Sequence, residues 1–233
     1  MIDVIIPMAG NGQRFVDAGY TDPKPMIDVA GKPMIARVME SLSPVGGAWF
    51  VLVSRIDVQS AENVTVVGLD EPTRGAAETV LAAADAVVEG PVMVANCDQY
   101  VTGGIDDFLS AVANYDAGIM VFNSTNPHHS YVQIDAYDVV TRIAEKQVIS
   151  DLAVVGIYWF AESANLFDYA IDVIDNDTRV NGEFYLSSIL DLMILDGLKV
   201  KTWEVDVHDK HILGTPEELR IFLDKVDAGR VTL

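Results

Sequence analysis

The stretch that decides the fold is DVIIPMAGNGQRF, residues 3–15, in which an apolar run leads directly into a loop with two glycines. The run from Asp3 to Met8 is short and apolar, which predicts a buried β-strand. Glycine permits positive φ angles and lets backbone N–H groups approach an anion, as in the turns that hold phosphates. We therefore expect a strand followed by an anion-binding loop around Gly10 and Gly12.

Two basic residues belong to this loop region. The loop lacks the third glycine of a dinucleotide-binding fingerprint, because Phe15 stands there, and it lacks the Lys-Ser or Lys-Thr of the Walker pattern. It presents Arg14 instead, and further on Lys24 stands between Pro23 and Pro25. The two prolines fix local backbone angles, so the lysine is held on a stiff segment. Arg14 and Lys24 are therefore candidates for a phosphate clamp, with solvated surface charges as the alternative.

Short apolar runs alternate with helix-like segments through the first half of the chain. The predicted strands are 3–8, 48–53, 64–69, 91–96 and 117–122, and the predicted helices are 33–42, 75–88 and 105–115. Strands joined by helical crossovers form a mostly parallel sheet, which binds ligands at the carboxyl ends of its strands. We expect a Rossmann-like α/β fold with a mostly parallel central sheet and helices on both faces.

The pattern changes after residue 123. Strand-like runs at 131–135, 139–144 and 153–160 are separated by turn residues, which predicts small antiparallel additions. Helices at 163–174 and 183–195, a strand at 199–205 and a helix at 216–226 follow. The length fits one domain over residues 1–233, with a nucleotide-binding half at 1–122 and a substrate-binding half at 123–233.

The composition excludes several classes of partner. The chain has 35 acidic and 15 basic side chains, a formal net charge of -20 and 50% hydrophobic residues. This charge repels nucleic acid, so we expect no nucleic-acid partner and assign anion binding to a local basic site. The single cysteine, Cys97, excludes a disulfide framework and favours a cytoplasmic location. No segment suits a membrane helix, so we expect no membrane partner; homo-oligomerisation is left open.

Several further motifs occur along the chain, in the order Gly10–Arg14 with Pro23–Pro25, Thr73–Ala77, Asn96–Asp98, Glu145–Lys146, Val155–Tyr158, Asn181–Leu186 and Gly214–Leu219. Taken together and in this order, they resemble the sugar-phosphate nucleotidylyltransferase (NDP-sugar pyrophosphorylase) family over about nine-tenths of the chain. The resemblance implies a glycosyltransferase-A-like nucleotidyltransferase fold and a Mg²⁺-dependent nucleotidylyltransferase.

The resemblance also implies roles for individual residues. The implied catalytic residues are Arg14, Lys24 and Asp98. The implied nucleotide-binding residues are Ala9, Gly10, Asn11, Gly12, Thr73, Arg74, Gly75 and Asn96. The implied substrate-binding residues are Glu145, Lys146, Gly156 and Glu183. Asp98 also follows a predicted strand, where ligands of α/β sheets bind, and a carboxylate there suits Mg²⁺.

One departure concerns the second metal ligand. Many family members carry Asp or Asn two residues before the late Gly-Thr, where this chain has Ile212. Two alternatives follow. Either Asp209 replaces that ligand from a shifted register, which we favour weakly, or Asp98 holds the metal with phosphates and water alone.

The implied reaction joins a nucleoside triphosphate and a sugar 1-phosphate into an NDP-sugar with release of pyrophosphate. The acceptor phosphate is already ionised at neutral pH, so the protein has to position two polyanions and neutralise charge. Two alternatives remain open: a cytidylyltransferase acting on another phosphomonoester such as phosphocholine, and a non-catalytic nucleotide-sensing relative. A glycosyltransferase that consumes a nucleotide sugar is disfavoured, because its diphosphate leaving group does not need the triphosphate clamp of Arg14 and Lys24.

Overall fold

The computed structural model describes residues 1–59 and 61–233. Its strands are β1 (Ile2–Met8), β2 (Asp28–Val29), β3 (Lys32–Pro33), β4 (Ala48–Ser54), β5 (Val64–Gly68), β6 (Val92–Ala95), β7 (Gln99–Val101), β8 (Ala117–Asn123), β9 (Tyr131–Ile134), β10 (Val140–Ala144), β11 (Leu152–Phe160), β12 (Val200–Glu204) and β13 (Lys210–Ile212). Its helices are α1 (Gln13–Asp17), α2 (Met34–Ser41), α3 (Ala76–Leu81), α4 (Ile105–Val112), α5 (Ser163–Asp175), α6 (Leu186–Leu195) and α7 (Pro216–Asp227).

The central sheet has nine strands in the described residues. Seven form a row in the order β5-β4-β1-β6-β11-β8-β12, because Tyr158 of β11 pairs with Val94 of β6 and with Ile119 of β8. β9 and β10 extend the sheet beside the first part of β11, where Ala153 pairs with Tyr131. The pairs β1–β4, β1–β6, β4–β5 and β8–β12 are parallel, whereas β11 is antiparallel to all its neighbours. This confirms the predicted α/β sheet with its antiparallel additions.

The apolar strands are buried on both faces of the sheet. On β1, Ile5 faces one core together with α3, α5 and α6, whereas Val4 and Ile6 face the other core together with α2 and α4. Successive strand residues point to opposite faces, so a strand covered on both sides is apolar throughout. Helices on both faces therefore explain the continuous apolar run with which the chain begins.

A smaller third core joins the beginning of the chain to its end. Phe15 and Met34 are buried with Leu213 and Phe222, and the last two belong to the segment around α7. The antiparallel pair β7–β13 lies between these regions. The glycine loop is thereby packed against residues two hundred positions away in the sequence.

Two predicted helices have different bounds in the structure. The predicted helix 75–88 ends at Leu81, followed by a 3₁₀ turn at Ala84–Ala86. The chain then leads into β6, and the backbone N–H of Val88 donates to Asp3 Oδ2 (2.9 Å), so tertiary contacts override the helical periodicity. The predicted helix 183–195 begins at Leu186.

Four short strands and one short helix were absent from the sequence-based prediction: β2, β3, β7, β13 and α1. Each strand has two or three residues, which is too short for a periodic pattern of hydrophobicity. In the described part of the chain, no helix is both long and apolar enough to cross a membrane.

Candidate active site

A cavity of about 220 Å³ lies where β1 and β6 end, and we call it the Lys24 cavity. Its walls include Gly10 and Gly12 of the glycine loop, Lys24, Asn96 and Asp98. Gly12 has φ +62°, and a Cβ built there would lie 2.8 Å from Lys24 Cβ. Glycine suits this position because the left-handed backbone conformation disfavours a side chain and a Cβ would be too close to Lys24.

Lys24 and Asp98 form an ion pair at the wall of this cavity, with 2.5 Å between Lys24 Nζ and Asp98 Oδ2. Both side chains are less than one-fifth exposed. Burial favours the neutral form of Lys24 and is the largest single influence, but the charge and hydrogen bond of Asp98, together with Cys97, outweigh it and raise the pKa of the lysine above its usual value. Lys24 is therefore a fixed positive charge at neutral pH.

Two arginines lie at the same edge of the sheet. Arg14 is exposed in α1, and its charge opposes the protonation of Lys24. Arg55, directly after β4, donates from Nη1 to Asn11 Oδ1 (2.6 Å). Sequence reasoning missed Arg55 because no motif contains it, although it follows a parallel strand at the ligand-binding edge.

The turn at 73–75 packs against the segment that precedes α6. Gly75 has φ +146°, and a Cβ there would lie 2.3 Å from the backbone oxygen of Phe184. The backbone N–H of Phe184 donates to Arg74 O (2.9 Å), and the Arg74 guanidinium lies 5.0 Å from the centre of the Phe184 ring. Thr73 Oγ1 lies 2.6 Å from Thr79 Oγ1. The turn with the predicted nucleotide-binding residues is thus joined to the segment with the predicted substrate-binding Glu183.

A second cavity of about 260 Å³ adjoins the first, and we call it the Glu145 cavity. Ala76 and Asn96 line both cavities. β11 is irregular where it passes this wall, with Gly156 at φ +98°, and a Cβ at Gly156 would lie 2.3 Å from Asn96 Nδ2. The glycine thus permits Asn96 to lie against β11 between the two cavities.

Glu145 is held by neutral hydroxyl groups. Ser130 Oγ and Ser187 Oγ both donate to Glu145 Oε2, the latter at 2.8 Å. Lys146 has φ +52°, and its ammonium contacts the hydroxyl of Tyr185 and lies 4.6 Å from the centre of the same ring. The structure therefore brings the predicted Glu145 and Lys146 to one cavity, but it gives them different partners.

Glu183 lies two residues before Tyr185, which lines this cavity. Its backbone forms a bridge with Val180 and α6 begins only at Leu186, so Glu183 is not the first residue of a helix, as the predicted bounds 183–195 implied. Burial, followed by a hydrogen bond with Glu183, raises the pKa of Tyr185 well above its usual value. Tyr185 is therefore a neutral hydroxyl between Glu183 and Lys146.

The structure does not bring Asp209 to Asp98. In the antiparallel pair β7–β13, Asp209 lies opposite Thr102 and bonds to its hydroxyl, whereas Asp98 accepts from the backbone N–H of Leu213 at the other end. This register separates Asp209 from Asp98 and therefore does not support the expectation that the two carboxylates share a cation. Glu218 lies on the Asp98 side instead: a Cβ on Gly214 would lie 3.0 Å from Asp98 Oδ2 and 3.4 Å from Glu218 Oε2.

Cys97 and the late histidines do not form a reactive centre in the described residues. Burial raises the pKa of the Cys97 thiol to about 11, so the thiolate that a nucleophile requires is disfavoured. His211 is buried against Tyr100 and Phe222, whereas His208 is exposed. No group of three or more His, Cys, Asp or Glu side chains within residues 1–59 and 61–233 is arranged to hold a metal.

Comparison with known proteins identifies the family of this chain. Residues 4–174 match the model of the MobA-like NTP transferase domain, and the chain belongs to that family. It is similar to the bifunctional protein GlmU of Methanococcus maripaludis (strain S2 / LL), with 26% identity over 97% of this chain and 55% of that protein. It is also similar to the low-salt glycan biosynthesis nucleotidyltransferase Agl11 of Haloferax volcanii, with 24% identity over 92% of this chain and 63% of that protein.

A solved structure is similar over nearly the whole chain. It is the nucleoside-diphosphate-sugar pyrophosphorylase from Vibrio cholerae, with a TM-score of 0.82 and 25% identity, covering 95% of this chain and 99% of that one. The chain spans little more than half the length of the GlmU relative. The fold and the family therefore define an NTP transferase domain.

Proposed function

We propose that this protein is a Mg²⁺-dependent nucleotidylyltransferase that joins a nucleoside triphosphate and a sugar 1-phosphate to give an NDP-sugar and pyrophosphate. The observation that carries the proposal is the pair of adjoining cavities. One presents Lys24 and a glycine loop to phosphates, and the other presents Glu145 and Lys146, with Asn96 lining both. Two anionic substrates that must react with each other need two such neighbouring sites.

In the proposed reaction, a phosphate oxygen of the sugar 1-phosphate bonds to the α-phosphorus of the triphosphate. The bond from the α-phosphorus to its bridging oxygen breaks, and pyrophosphate leaves with the electron pair. Lys24 lines the first cavity, where it stabilises the negative charge of the transferring group. Arg14 and Arg55 at the same edge attract the β- and γ-phosphates, and Lys146 binds the acceptor phosphate.

The carboxylates at Asp98 and Glu218 suit part of the coordination shell of Mg²⁺. Mg²⁺ in phosphoryl-transfer sites is usually bound through one or two carboxylates, with substrate phosphates and water completing its shell. Asp98 provides one carboxylate at the cavity wall, and Glu218 converges on the same glycine. When bound, the cation supplies charge neutralisation between the phosphates. This arrangement favours Asp98 with phosphates and water over a pair of Asp98 and Asp209.

The Glu145 cavity favours a hydroxyl-bearing acceptor over phosphocholine. A quaternary ammonium group has no hydrogen-bond donor and is bound by the open faces of aromatic rings. The aromatic face of Tyr185 is covered by the Lys146 ammonium, and a second positive charge is repelled there. Glu145 offers carboxylate oxygens, which suit sugar hydroxyls.

The test is pyrophosphate release from four nucleoside triphosphates, each mixed with a panel of sugar 1-phosphates or with phosphocholine, in Mg²⁺. We expect release with at least one triphosphate and a sugar 1-phosphate, and none without Mg²⁺. Release with phosphocholine alone would establish the cytidylyltransferase alternative. Nucleotide-dependent thermal stabilisation without release from any pair would establish the sensor alternative.

A further inference from the structure

Gln99 occupies a special position beside both cavities. It is the first residue of β7, follows Asp98 directly and lines the Glu145 cavity. Its backbone is fixed by pairing with Ile212 of β13. The residue is 8% exposed, so it is more than nine-tenths buried.

The carboxamide oxygen of Gln99 lacks a hydrogen bond. Oε1 is buried and has no partner among residues 1–59 and 61–233. Buried polar atoms nearly always have a partner, because an unpaired acceptor loses its hydration without replacement. The last torsion of a glutamine side chain is broad, so a half-turn of the carboxamide exchanges the positions of Oε1 and Nε2 without a change elsewhere in the side chain. A hydrogen-bond donor on a ligand would supply the partner that this oxygen lacks.

Three donor side chains of the cavity already have partners. The hydroxyls of Ser130 and Ser187 donate to Glu145, and the Lys146 ammonium contacts Tyr185. Burial, followed by the charge of Lys210, lowers the pKa of His129 to about 4, so its imidazole is neutral at pH 7. The cavity combines the Glu145 carboxylate with the Lys146 ammonium, which suits a molecule with a phosphate and several hydroxyl donors.

We propose that Gln99 is a specificity-determining residue of the Glu145 cavity, where its Oε1 accepts a hydrogen bond from a hydroxyl on the organic part of the phosphomonoester. This inference rests on the proposed function, because it places the acceptor in that cavity. A buried acceptor that matches a substrate hydroxyl discriminates strongly against an analogue without it. Gln99 thereby selects polyhydroxyl acceptors against those that lack the donor.

The experiment measures equilibrium binding by calorimetry for the wild type, Gln99→Met and the control Gln133→Met. Methionine has a similar volume and removes both polar atoms. Gln133 is exposed on β9, away from the cavity, and donates to the backbone oxygen of Ile149. The probes are the 1-phosphates of glucose, galactose and mannose, the monodeoxy derivatives of the tightest binder, and phosphocholine.

We expect Gln99→Met to weaken binding of the tightest sugar phosphate at least tenfold, with Gln133→Met unchanged. One monodeoxy derivative should bind the wild type as weakly as the parent binds Gln99→Met, and the variant should not distinguish the two. The ligand-free melting temperature of Gln99→Met should equal or exceed that of the wild type, because no folded-state hydrogen bond of Oε1 is lost. A purely structural glutamine would instead give a lower melting temperature and equal losses for all probes.

Equal binding of the parent by wild type and Gln99→Met overturns the inference, as does a deoxy penalty that is the same in both proteins. Binding does not depend on turnover, so the two proposals fail separately. If the wild type binds sugar phosphates but releases no pyrophosphate with any triphosphate, the proposed function fails and the Gln99 comparison still decides its own question. If none of the sugar phosphates binds, the Gln99 inference fails.

Discussion

The Lys24 cavity and the Glu145 cavity each contain a carboxylate, and the two carboxylates have different partners. Asp98 is paired with the Lys24 ammonium at 2.5 Å. Glu145 accepts from the hydroxyls of Ser130 and Ser187, although Lys146 is its neighbour in the sequence. The carboxylate of the first cavity is therefore fixed by an opposite charge, whereas the carboxylate of the second cavity is oriented by neutral hydroxyl groups.

In the proposed function, this difference gives the two cavities different roles. A charged pair fixes where positive charge lies, which is what a triphosphate and its transition state require. A carboxylate held by hydroxyls through one oxygen keeps its other oxygen free, which is what a substrate with hydroxyl groups requires. The same chemical substitution should therefore have different consequences in the two cavities.

The largest predicted effect comes from replacing each carboxylate by its amide. Asp98→Asn should lower kcat/KM on the order of 100-fold or more, since it removes a charge beside the transferring group and leaves Lys24 without its partner; loss of one such contact costs about 3 kcal/mol. Glu145→Gln keeps the shape and should raise the KM of the acceptor about tenfold, with the KM of the triphosphate unchanged. Steady-state kinetics with each substrate varied in turn measures both.

Asp209→Asn is the matched control for this prediction. Asp209 carries the same side chain but lies at the other end of the β7–β13 ladder, beside Thr102. Its kcat/KM should stay within about twofold of the wild type, in line with other surface substitutions. A loss at Asp209 equal to that at Asp98 would contradict the proposal that Asp98 holds the metal without Asp209.

The second prediction concerns the contact that joins the cavities. Gly75→Ala places a Cβ 2.3 Å from the Phe184 backbone oxygen, whereas Gly103 has a similar φ, +151° against +146°, with nothing within 4 Å of its Cβ position. Gly103→Ala therefore measures backbone strain alone, about 1–3 kcal/mol. Gly75→Ala should cost about 2 kcal/mol more in the free energy of unfolding, measured in urea, and should weaken binding in both cavities. Equal costs for the two variants would show that the Phe184 contact is not rigid.

The smallest predicted effect involves Lys210, which is buried with its ammonium 3.6 Å from the centre of the Phe122 ring. Burial lowers the pKa of Lys210 to about 7, although the charges of Glu218 and Asp98 oppose this effect. Between about pH 7 and the ordinary lysine pKa of 10.5, the unfolded chain then binds a proton that the folded chain does not. Stability must rise with pH in this window.

Lys210→Met removes this dependence. Relative to the variant, the wild type should gain more than about 1 kcal/mol of unfolding free energy between pH 7 and pH 9, measured in urea. The same comparison with Lys199→Met, which changes an exposed lysine, should not vary with pH in this way. A constant difference between wild type and Lys210→Met would mean that Lys210 is charged in the folded protein at pH 9.

Much of the fold follows from local pattern. The five strands predicted in the first half are present, because each is an apolar run that crosses a sheet covered on both faces. The helix predicted to start at Glu183 begins three residues later, because the backbone of Phe184 is bonded to Arg74 and Ala77. Such a contact joins positions more than a hundred residues apart, and no local pattern records it.

The candidate site, like the fold, was predicted only in part from local sequence pattern. Gly12, Lys24 and Asp98 were predicted from motifs, and the structure brings them to one cavity. Arg55 and Gln99 were missed, because an arginine after a strand and a glutamine after an aspartate have no distinctive spacing. Arg55 is notable only because it donates to Asn11, and Gln99 only because its own Oε1 is buried without a partner among the described residues.

The sequence by itself determined the alternation of strands and helices, the glycine loop with its nearby cations, and the acidic surface that confines anion binding to a local site. The tertiary structure alone decided that Glu218 and not Asp209 approaches Asp98, that Gly75 packs on Phe184, and that the Gln99 oxygen is left unpaired. The physical reason is register: the pairing of β7 with β13, and of one turn with a distant segment, depends on packing across the whole sheet.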